Sequence, residues 1–370
     1  MNSSIRTSLT TLLGVLVLAG TAGAQEQTWT LESAVNFALD QSPDSRIAAF
    51  RIRSAEATVR QAKSGWYPHV DLEASYMQTN TPMMSFGAIL NQGVFDYGID
   101  FNNPGQVDNL NLTGRLGYNL YSGGKKSAGR DAAEAGLKAS QLDNESVRDQ
   151  LAYEVVNAYF NIIKAREVVA TTRSAVAAFE ENLNVARLKY DAGTFLKTEV
   201  LNLEVQLAQT RENLLGFSHQ QDLAERVFLN LLGLESNQGV ALAEEDPTTS
   251  HLVIPIGADP SSRSDLRAMK ARTEAAEAQV RMARSGQRPE VNAFGYYRLD
   301  KGWRLDGSGD SWMAGIAVKF NVFDGAMTKG KVQEAQARSN EAQEGLRKMT
   351  LGVSLQVEQD AGVALGGGPH

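Results

Sequence analysis

Few residues of this sequence have the types and spacing that catalysis or metal binding requires. The 370 residues include no cysteine, which excludes disulfides and thiolate zinc sites. There is no G-x-S-x-G nucleophile motif and no phosphate-binding loop, and the four histidines lack the spacing of a helical zinc site. These histidines are His69, His219, His251 and His370. We therefore predict that the protein is not an enzyme and needs no cofactor.

Two further groups of side chains have both a chemical interpretation and a plainer one. Met77, Met83 and Met84 carry soft thioethers that suit copper, although methionines in a flexible loop also serve as ordinary apolar contacts. The run from Glu244 to Asp246 is acidic, and in a linker such a run is usually solvated surface. We favour the plainer interpretation for both groups, and leave the question of a metal in the methionine loop open.

The most regular feature of the sequence is an alternation of polar and apolar residues in four segments. It predicts four strands, at residues 70–77, 110–121, 291–298 and 312–323. The alternation puts these polar residues on one face of their strands: Asp71, Glu73, Asn111, Thr113, Arg115, Asn119, Lys319 and Asn321. The third strand is less clean, since Phe294 and Tyr296 fall on its otherwise polar face. A soluble sandwich and a membrane barrel would both show such alternation, so the pattern alone leaves the choice open.

Glycines follow the second and fourth strands and mark the change from strand to helix. They are Gly123 and Gly124 in the first case and Gly325 in the second. From residue 125 to about residue 190 the sequence has almost no helix breaker, which predicts a helix of roughly 100 Å. A second helix, at about residues 197–232, completes an antiparallel hairpin with its tip at Gly193. Helices of this length need partners in a bundle or a coiled-coil tube.

This order of elements occurs twice in the chain. Residues 56–65, followed by Pro68, match residues 277–286, followed by Pro289. Each copy predicts a helix, a strand, a loop, a second strand, a glycine turn and a long helix. We assign residues 25–250 to the first repeat and residues 251–370 to the second. Within the first repeat, residues 77–108 are predicted to be a long loop without regular structure.

The N-terminus has the pattern of a secretory signal peptide, which we assign to residues 1–24. It consists of Arg6, an apolar run, and Ala22-Gly23-Ala24 as a small-x-small cleavage site. The apolar run is shorter than the roughly 20 residues that a membrane-spanning helix needs. The net charge of −7 argues against nucleic acid as a partner.

With these motifs, the sequence resembles the TolC-like outer membrane factor family of export ducts. The resemblance covers about residues 29–359 and is carried by A-K-S-G-W-Y-P at 62–68, L-Y-S-G-G at 120–124, F-D-G at 323–325 and the hairpin tip. It implies an α+β membrane protein. Long α-helical coiled-coil hairpins would form a periplasmic tunnel, and four β-strands per protomer would contribute to an oligomeric outer membrane β-barrel.

The resemblance also implies function, location and partners. It implies a homotrimeric, passive export duct of a tripartite efflux pump or type I secretion system, in the outer membrane of a Gram-negative bacterium with a periplasmic extension. The polar strand faces would line the lumen, and the opposite faces would contact outer membrane lipid. The partners would be an inner membrane transporter and a periplasmic adaptor. The adaptor would dock at the hairpin tip, through Arg187, Leu188, Gly193, Leu196, Val200 and Leu201.

If the strands cross a membrane, physical reasoning requires an oligomer independently, because four strands cannot close a barrel that needs about eight. One feature departs from the family pattern. The first repeat devotes residues 125–233 to two long helices, whereas only about 40 residues follow Gly325. The glycine-rich end after residue 359 is not predicted to be helical, so we expect a C-terminally truncated second repeat and an impaired duct.

The alternative class is a periplasmic coiled-coil adaptor or structural protein without a membrane barrel. It would share the signal peptide and the helical hairpin. It leaves the four amphipathic strands unexplained, together with aromatic residues such as Tyr121 and Trp312 at positions that suit a membrane interface.

Overall fold

The structure is a computed structural model that describes residues 28–235, 239–243 and 260–366. The predicted signal peptide, the acidic run, His251 and His370 lie outside the described residues. The helices are α1 Leu31–Gln41, α2 Pro43–Ser64, α3 Pro82–Asn91, α4 Lys125–Asp191, α5 Lys197–Leu232, α6 Ser264–Arg284 and α7 Met327–Gly366. The strands are β1 Thr28–Trp29, β2 His69–Thr79, β3 Val107–Tyr121, β4 Ala241–Leu242, β5 Glu290–Lys301 and β6 Ser308–Lys319.

Contacts divide the described residues into two units. One unit contains residues 28–38, 154–235 and 239–243, and the other contains residues 39–153 and 260–366. Helix α4 contributes residues to both. In chain order, α2, β2, β3 and α4 are followed later by α6, β5, β6 and α7. The same sequence of helix, two strands and long helix therefore occurs twice.

An aromatic cluster organises the first unit near the two short strands. Trp29 and Phe228 meet edge to face with ring centroids 6.2 Å apart, and Phe228 meets Tyr159 at 6.3 Å. All three side chains are buried. Strand β1 pairs in parallel with β4, where Trp29 lies opposite Leu242. The Tyr159 hydroxyl donates a hydrogen bond to the Ala243 carbonyl at 3.4 Å, so the cluster also fastens the end of β4.

The predicted helical hairpin is confirmed in the same unit. Helices α4 and α5 pack along an apolar seam whose buried members are Val176, Leu183, Ala186, Val200 and Leu207. Ion pairs also connect the two helices. Arg211 contacts Glu180 at 2.6 Å, and Arg166 contacts Glu225 at 2.8 Å. The apolar periodicity thus determines which faces of the two helices meet, and ion pairs add contacts between them.

The second unit contains a four-stranded antiparallel sheet in the order β2, β3, β5 and β6. Helix α6 packs against α4 through small side chains, among them Ala139 and Ala268, which are both buried. Small residues allow close approach of the two helices, and Arg272 on α6 forms an ion pair with Asp143 on α4. All four predicted strands are present, although their ends differ from those predicted.

The predicted break at Pro43 separates α1 from α2. Pro43 occupies the first position of α2, where a missing amide proton costs nothing. The buried Ser42 caps the helix, and its hydroxyl accepts a hydrogen bond from the Ser45 amide at 3.3 Å.

The prediction of an unstructured loop at residues 77–108 is wrong in part, because it contains α3. Thr81 and Pro82 supply a helix start, with proline at the first helical position. Ala88 and Ile89 are buried in a cluster with Val107 at the start of β3. The helix is stable through this burial, which a search for periodicity in a short apolar run does not detect.

Two predicted boundaries in the second repeat are also wrong. The fourth strand ends at Lys319 instead of Phe323, because Lys319 pairs with Glu290, the first residue of β5, and later residues have no partner there. Asn321 therefore lies outside the sheet and has no place on its polar face. Helix α7 continues to Gly366, so residues 360–366 are helical; an isolated glycine costs a helix only about 1 kcal/mol relative to alanine.

The aromatic cluster makes a graded stability prediction at Phe228. Phe228→Ala should lower the free energy of unfolding by about 3–5 kcal/mol, because it leaves a cavity among fully buried rings. Phe228→Leu keeps most of the volume and should cost clearly less. Thermal unfolding of the purified protein, followed by circular dichroism, measures both. Equal melting temperatures for the two variants would contradict the cluster's role.

Candidate functional site

The pairing of the four strands brings the predicted polar residues onto one face of one sheet. Asp71 on β2 pairs with Arg115 on β3, and Arg115 pairs with Tyr296 on β5. The predicted polar residues that share this face are Asp71, Glu73, Asn111, Thr113, Arg115, Asn119 and Lys319. We call it the polar face. The other face, the apolar face, carries residues such as Leu72 and Ile316.

The exposure of the apolar face is the reverse of that expected in a water-soluble protein. On the apolar face, Leu72 is 80% exposed and Ile316 is 69% exposed. The polar face is mostly exposed as well, for example at Asp71, Arg115 and Lys319, and is buried locally at Thr113 and Asp300. A soluble sheet would bury its apolar face against a core. A contiguous exposed apolar surface of this kind is typical of a face that contacts lipid or another protein.

Hydrogen bonds and an ion pair connect the side chains of the polar face. Asn111 donates to the Asp300 carboxylate at 2.9 Å, and Thr113 donates to the Asn111 carbonyl oxygen at 2.7 Å. Arg115 contacts Glu73 at 3.1 Å. Charges of both signs are therefore partnered across strands, which suits a wet, partly enclosed surface better than hydrocarbon.

The aromatic residues on the polar face of β5 have a structural explanation. Phe294 lies opposite Gly315 on β6, and a Cβ added to Gly315 would approach the Phe294 ring to 2.9 Å. The ring thus occupies space that glycine leaves free. Tyr296 lies beneath the Arg298 guanidinium, 5.4 Å from its ring centroid. Local packing therefore explains why two aromatic residues lie on the polar face of β5, and the assignment of its faces does not need to be reversed.

The strand-to-helix turns depend on glycines with left-handed backbone conformation. Gly123, Gly124 and Gly325 have φ angles of 63°, 91° and 65°. At Gly123 an added Cβ would lie 2.7 Å from the Arg288 Cβ and 2.9 Å from the Ser285 carbonyl oxygen. Arg288 also donates to the Gly123 carbonyl at 3.2 Å. The first turn therefore combines a left-handed backbone with a close approach to the segment before β5.

The second turn is held by a side-chain cap. The Asp324 carboxylate accepts hydrogen bonds from the hydroxyl and the amide of Thr328, the latter at 3.0 Å. These bonds to the charged form lower the pKa of Asp324 below its ordinary value. The cap therefore contributes its stabilisation above that ordinary pKa and loses it as the pH falls through the lowered one.

The hairpin tip presents most of its predicted residues to solvent. Gly193 has a φ of 73°, and its amide donates to the Tyr190 carbonyl at 2.9 Å, as in a helix C-terminus. Arg187, Leu188, Leu196 and Leu201 are exposed, like Gly193. Val200 is buried in the seam of the hairpin. It therefore supports the tip and is not available to contact a partner without opening the hairpin.

The methionines of the predicted loop belong to two elements. Met77 lies on β2 and Met83 and Met84 on α3, where the latter two are exposed. Among residues 28–235, 239–243 and 260–366, no cluster of three acidic or histidine side chains could hold a metal ion. In the same residues, no helix has the length and apolarity to cross a membrane.

Two residues with structural roles near the sheet have no local signal in the sequence. Gln92, just after α3, is buried and donates to the Asp108 carbonyl at 2.6 Å and to the Asn109 side chain at 2.9 Å. Arg288 braces the first glycine turn. The Thr81-Pro82 helix start was the signal for α3, whereas neither Gln92 nor Arg288 belongs to a local pattern.

Comparison with known proteins identifies relatives over most of the chain. The profile of a family described as outer membrane efflux protein matches residues 34–234 and 261–361. Protein CyaE of Bordetella pertussis is 27% identical over 329 residues, which cover 83% of this chain and 63% of CyaE. The pyoverdine export outer membrane protein OpmQ of Pseudomonas aeruginosa is 27% identical over 271 residues, which cover 70% of this chain and 54% of OpmQ. The chain thus spans less than two thirds of the length of these relatives.

Solved structures share the fold. The outer membrane protein VceC of Vibrio cholerae superposes with a TM-score of 0.74 at 20% identity, covering 90% of this chain and 79% of VceC. The outer-membrane channel OprN superposes with a TM-score of 0.72 at 21% identity, covering 90% of this chain and 73% of OprN. Neither the family description nor any of these names is that of an enzyme.

The two glycine turns differ in a way that predicts different mutational effects. Gly325→Ala should cost about 1–2 kcal/mol, because the left-handed backbone is strained for alanine and an added Cβ has open space. Gly123→Ala should cost about 2–5 kcal/mol, since collision with Arg288 adds to the same strain. Thermal unfolding of the two variants tests this order, and a milder effect at Gly123 would contradict it.

Proposed function

This chain belongs to the outer membrane efflux protein family, and we propose that it is the outer membrane channel of a tripartite efflux pump or type I secretion system. In this role it is a passive export duct from the periplasm to the exterior. The observation that carries the proposal is the exposed apolar face of the sheet, which lies opposite a face rich in charged and amide side chains. Lipid outside and water inside a β-barrel would satisfy both faces.

The strands have the dimensions that a membrane requires. They are 11 to 15 residues long, and a tilted strand crosses the hydrocarbon region with about 9–11 residues. The apolar face supplies side chains suited to lipid chains. Exposed examples are Val70, Leu72, Leu116, Trp312, Ile316 and Val318. The polar face, from Asp71 and Glu73 to Lys319, lines the lumen in this proposal.

The free edges of the sheet support a closed ring of several protomers, and the family resemblance makes that ring a homotrimer. In the part of the chain that the structure describes, β2 and β6 each pair on one side only. Unpaired backbone groups are costly in hydrocarbon, so both edges need partners there. A ring in which β6 of one protomer pairs with β2 of the next satisfies every edge. Three protomers would supply 12 strands, above the roughly eight that closure needs.

The hairpin tip supports docking of a periplasmic adaptor, which would connect the duct to an inner membrane transporter. Arg187, Leu188, Gly193, Leu196 and Leu201 form an exposed surface of mixed charge and apolarity. Such a surface on a helical hairpin suits contact with another helical protein. The location that follows is the outer membrane of a Gram-negative bacterium, with the helices in the periplasm.

A periplasmic coiled-coil adaptor or structural protein is the weaker alternative. It would use the same hairpin but would need to keep the apolar face of the sheet in water. The exposure of Leu72, Trp312 and Ile316 is the feature that it leaves without an explanation.

A matched pair of arginine substitutions tests which face meets lipid. Ala74 and Ser75 are adjacent in the middle of β2, both small and both exposed, but they point to opposite faces. Ala74→Arg should cost about 2–4 kcal/mol of folding stability in a bilayer, whereas Ser75→Arg on the polar face should be mild. Thr113 would be a poor control, because it is buried beneath its neighbours.

The measurement is unfolding in lipid vesicles, or the yield of trimer in outer membranes. Equal damage from Ala74→Arg and Ser75→Arg would remove the support for a lipid-facing apolar surface. Damage from Ser75→Arg alone would reverse the assignment of the two faces.

A charge reversal tests the adaptor surface. Arg187 forms an ion pair with Glu204 at 2.7 Å. Arg187→Glu should reduce crosslinking to a periplasmic adaptor several-fold, because it replaces the exposed positive charge. The double variant with Glu204→Arg restores the ion pair within the hairpin but leaves the charge at position 187 reversed.

The two variants separate docking from stability. We expect the double variant to crosslink as weakly as the single one. Recovery of crosslinking in the double variant would show that Arg187 only stabilises the hairpin. Unchanged crosslinking in the single variant would contradict docking through Arg187.

A further inference from the structure

The segment between β2 and β3, residues 80–106, crosses the polar side of the sheet. Gly309 lies on the polar face opposite Asp300, so a Cβ added there would point to that side. It would collide with the carbonyl oxygen of Asn91. At Gly307, just before β6, an added Cβ would lie 2.7 Å from both Gln92 and Val94. The backbone at Asn91 therefore passes directly over the polar face.

Gln92 fixes the segment to this face. Its side chain is 1% exposed, and its amide nitrogen donates to the Asp108 carbonyl at 2.6 Å and to the Asn109 side chain at 2.9 Å. Asn109 in turn donates to the Asp300 carboxylate at 2.6 Å. A Cβ added to Gly302 would collide with the Gln92 side-chain oxygen. One side chain thus links the segment to β3 and, through Asn109, to β5.

An apolar contact fastens the helix of the segment as well. Ile89 on α3 is fully buried in a cluster with Val107, the first residue of β3. The Ser85 hydroxyl donates to the Thr79 carbonyl at 3.2 Å, at the end of β2. Met83 and Tyr97, in contrast, are 80% and 95% exposed. The segment has one side held against the sheet and another open to solvent.

The segment lies at the end of the sheet that is farthest from the long helices. It joins the ends of β2 and β3 that lie opposite the Gly123 turn, and hence opposite the start of α4. We infer that residues 80–106 form an exit cover, a segment folded inward across the outer mouth of the duct. This inference rests on the proposed function, in which the polar face lines the lumen. The cover narrows the mouth and restricts entry of large hydrophilic solutes from outside.

The absence of natural cysteines allows a direct test on intact cells. Ser75→Cys places a thiol on the polar face below the cover, and Tyr97→Cys places one on the outer side of the cover. A sulfonated fluorescent maleimide that does not cross the outer membrane probes both. With the natural cover, Ser75→Cys should react at least about tenfold more slowly than Tyr97→Cys. The Ser75 side chain is itself exposed on the polar face, but the probe must pass the narrowed mouth, which widens only when the cover opens.

Two substitutions then open the cover by different routes. Gln92→Ala removes its two hydrogen bonds, and Gly309→Val pushes a side chain against Asn91. Each should raise the labelling rate of Ser75→Cys about tenfold. The matched control is Leu90→Ala, a neighbouring residue of α3 that is half exposed and should leave the rate unchanged.

The outcomes separate the two levels of the argument. If Tyr97→Cys reacts but Ser75→Cys reacts equally fast, with or without the opening substitutions, the exit cover is refuted while the duct stands. If Tyr97→Cys in membrane-inserted protein does not react from outside, the orientation assumed in the proposed function is wrong, and the cover falls with it.

Discussion

The main physical constraint on this protein is the exposed apolar face of its four-stranded sheet. Exposure of the apolar surface around Leu72 and Ile316 to water has a large free-energy cost. The polar face of the same sheet cannot cover this surface, because the two faces point in opposite directions. The two edges, β2 and β6, impose a second constraint, since their outward-pointing amides and carbonyls need hydrogen-bond partners. A closed ring of several protomers in a membrane meets both constraints at once.

Glycines allow another segment to approach the sheet closely at both of its ends. At one end, Gly123 lets the chain turn from β3 into α4 while Arg288 approaches closely. At the other end, Gly307 and Gly309 leave room for the segment after α3 to cross the polar face. In each case a side chain that is distant in sequence then fixes the arrangement, through Arg288 or Gln92. Glycines therefore determine where the chain turns into α4 and where the segment after α3 can cross the sheet.

The sequence predicted the elements with strong periodicity and missed what depends on contacts between distant residues. The strands and the hairpin were recoverable because alternation and helical spacing persist over many residues. Helix α3 was missed, since it is short and is stabilised by the burial of Ile89 against Val107. The role of Gln92 depends on strand register, which no local pattern reveals. Val200 matched the tip motif, yet packing within the hairpin buries it.

The central claim, that the apolar face contacts lipid, is tested most directly by washing membranes that contain the protein with alkaline carbonate. This treatment removes proteins held at the surface and leaves those embedded in the bilayer. We predict that the protein stays in the outer membrane fraction after the wash. Its release into the wash, in a properly folded form, would contradict a lipid-embedded sheet and favour a periplasmic protein.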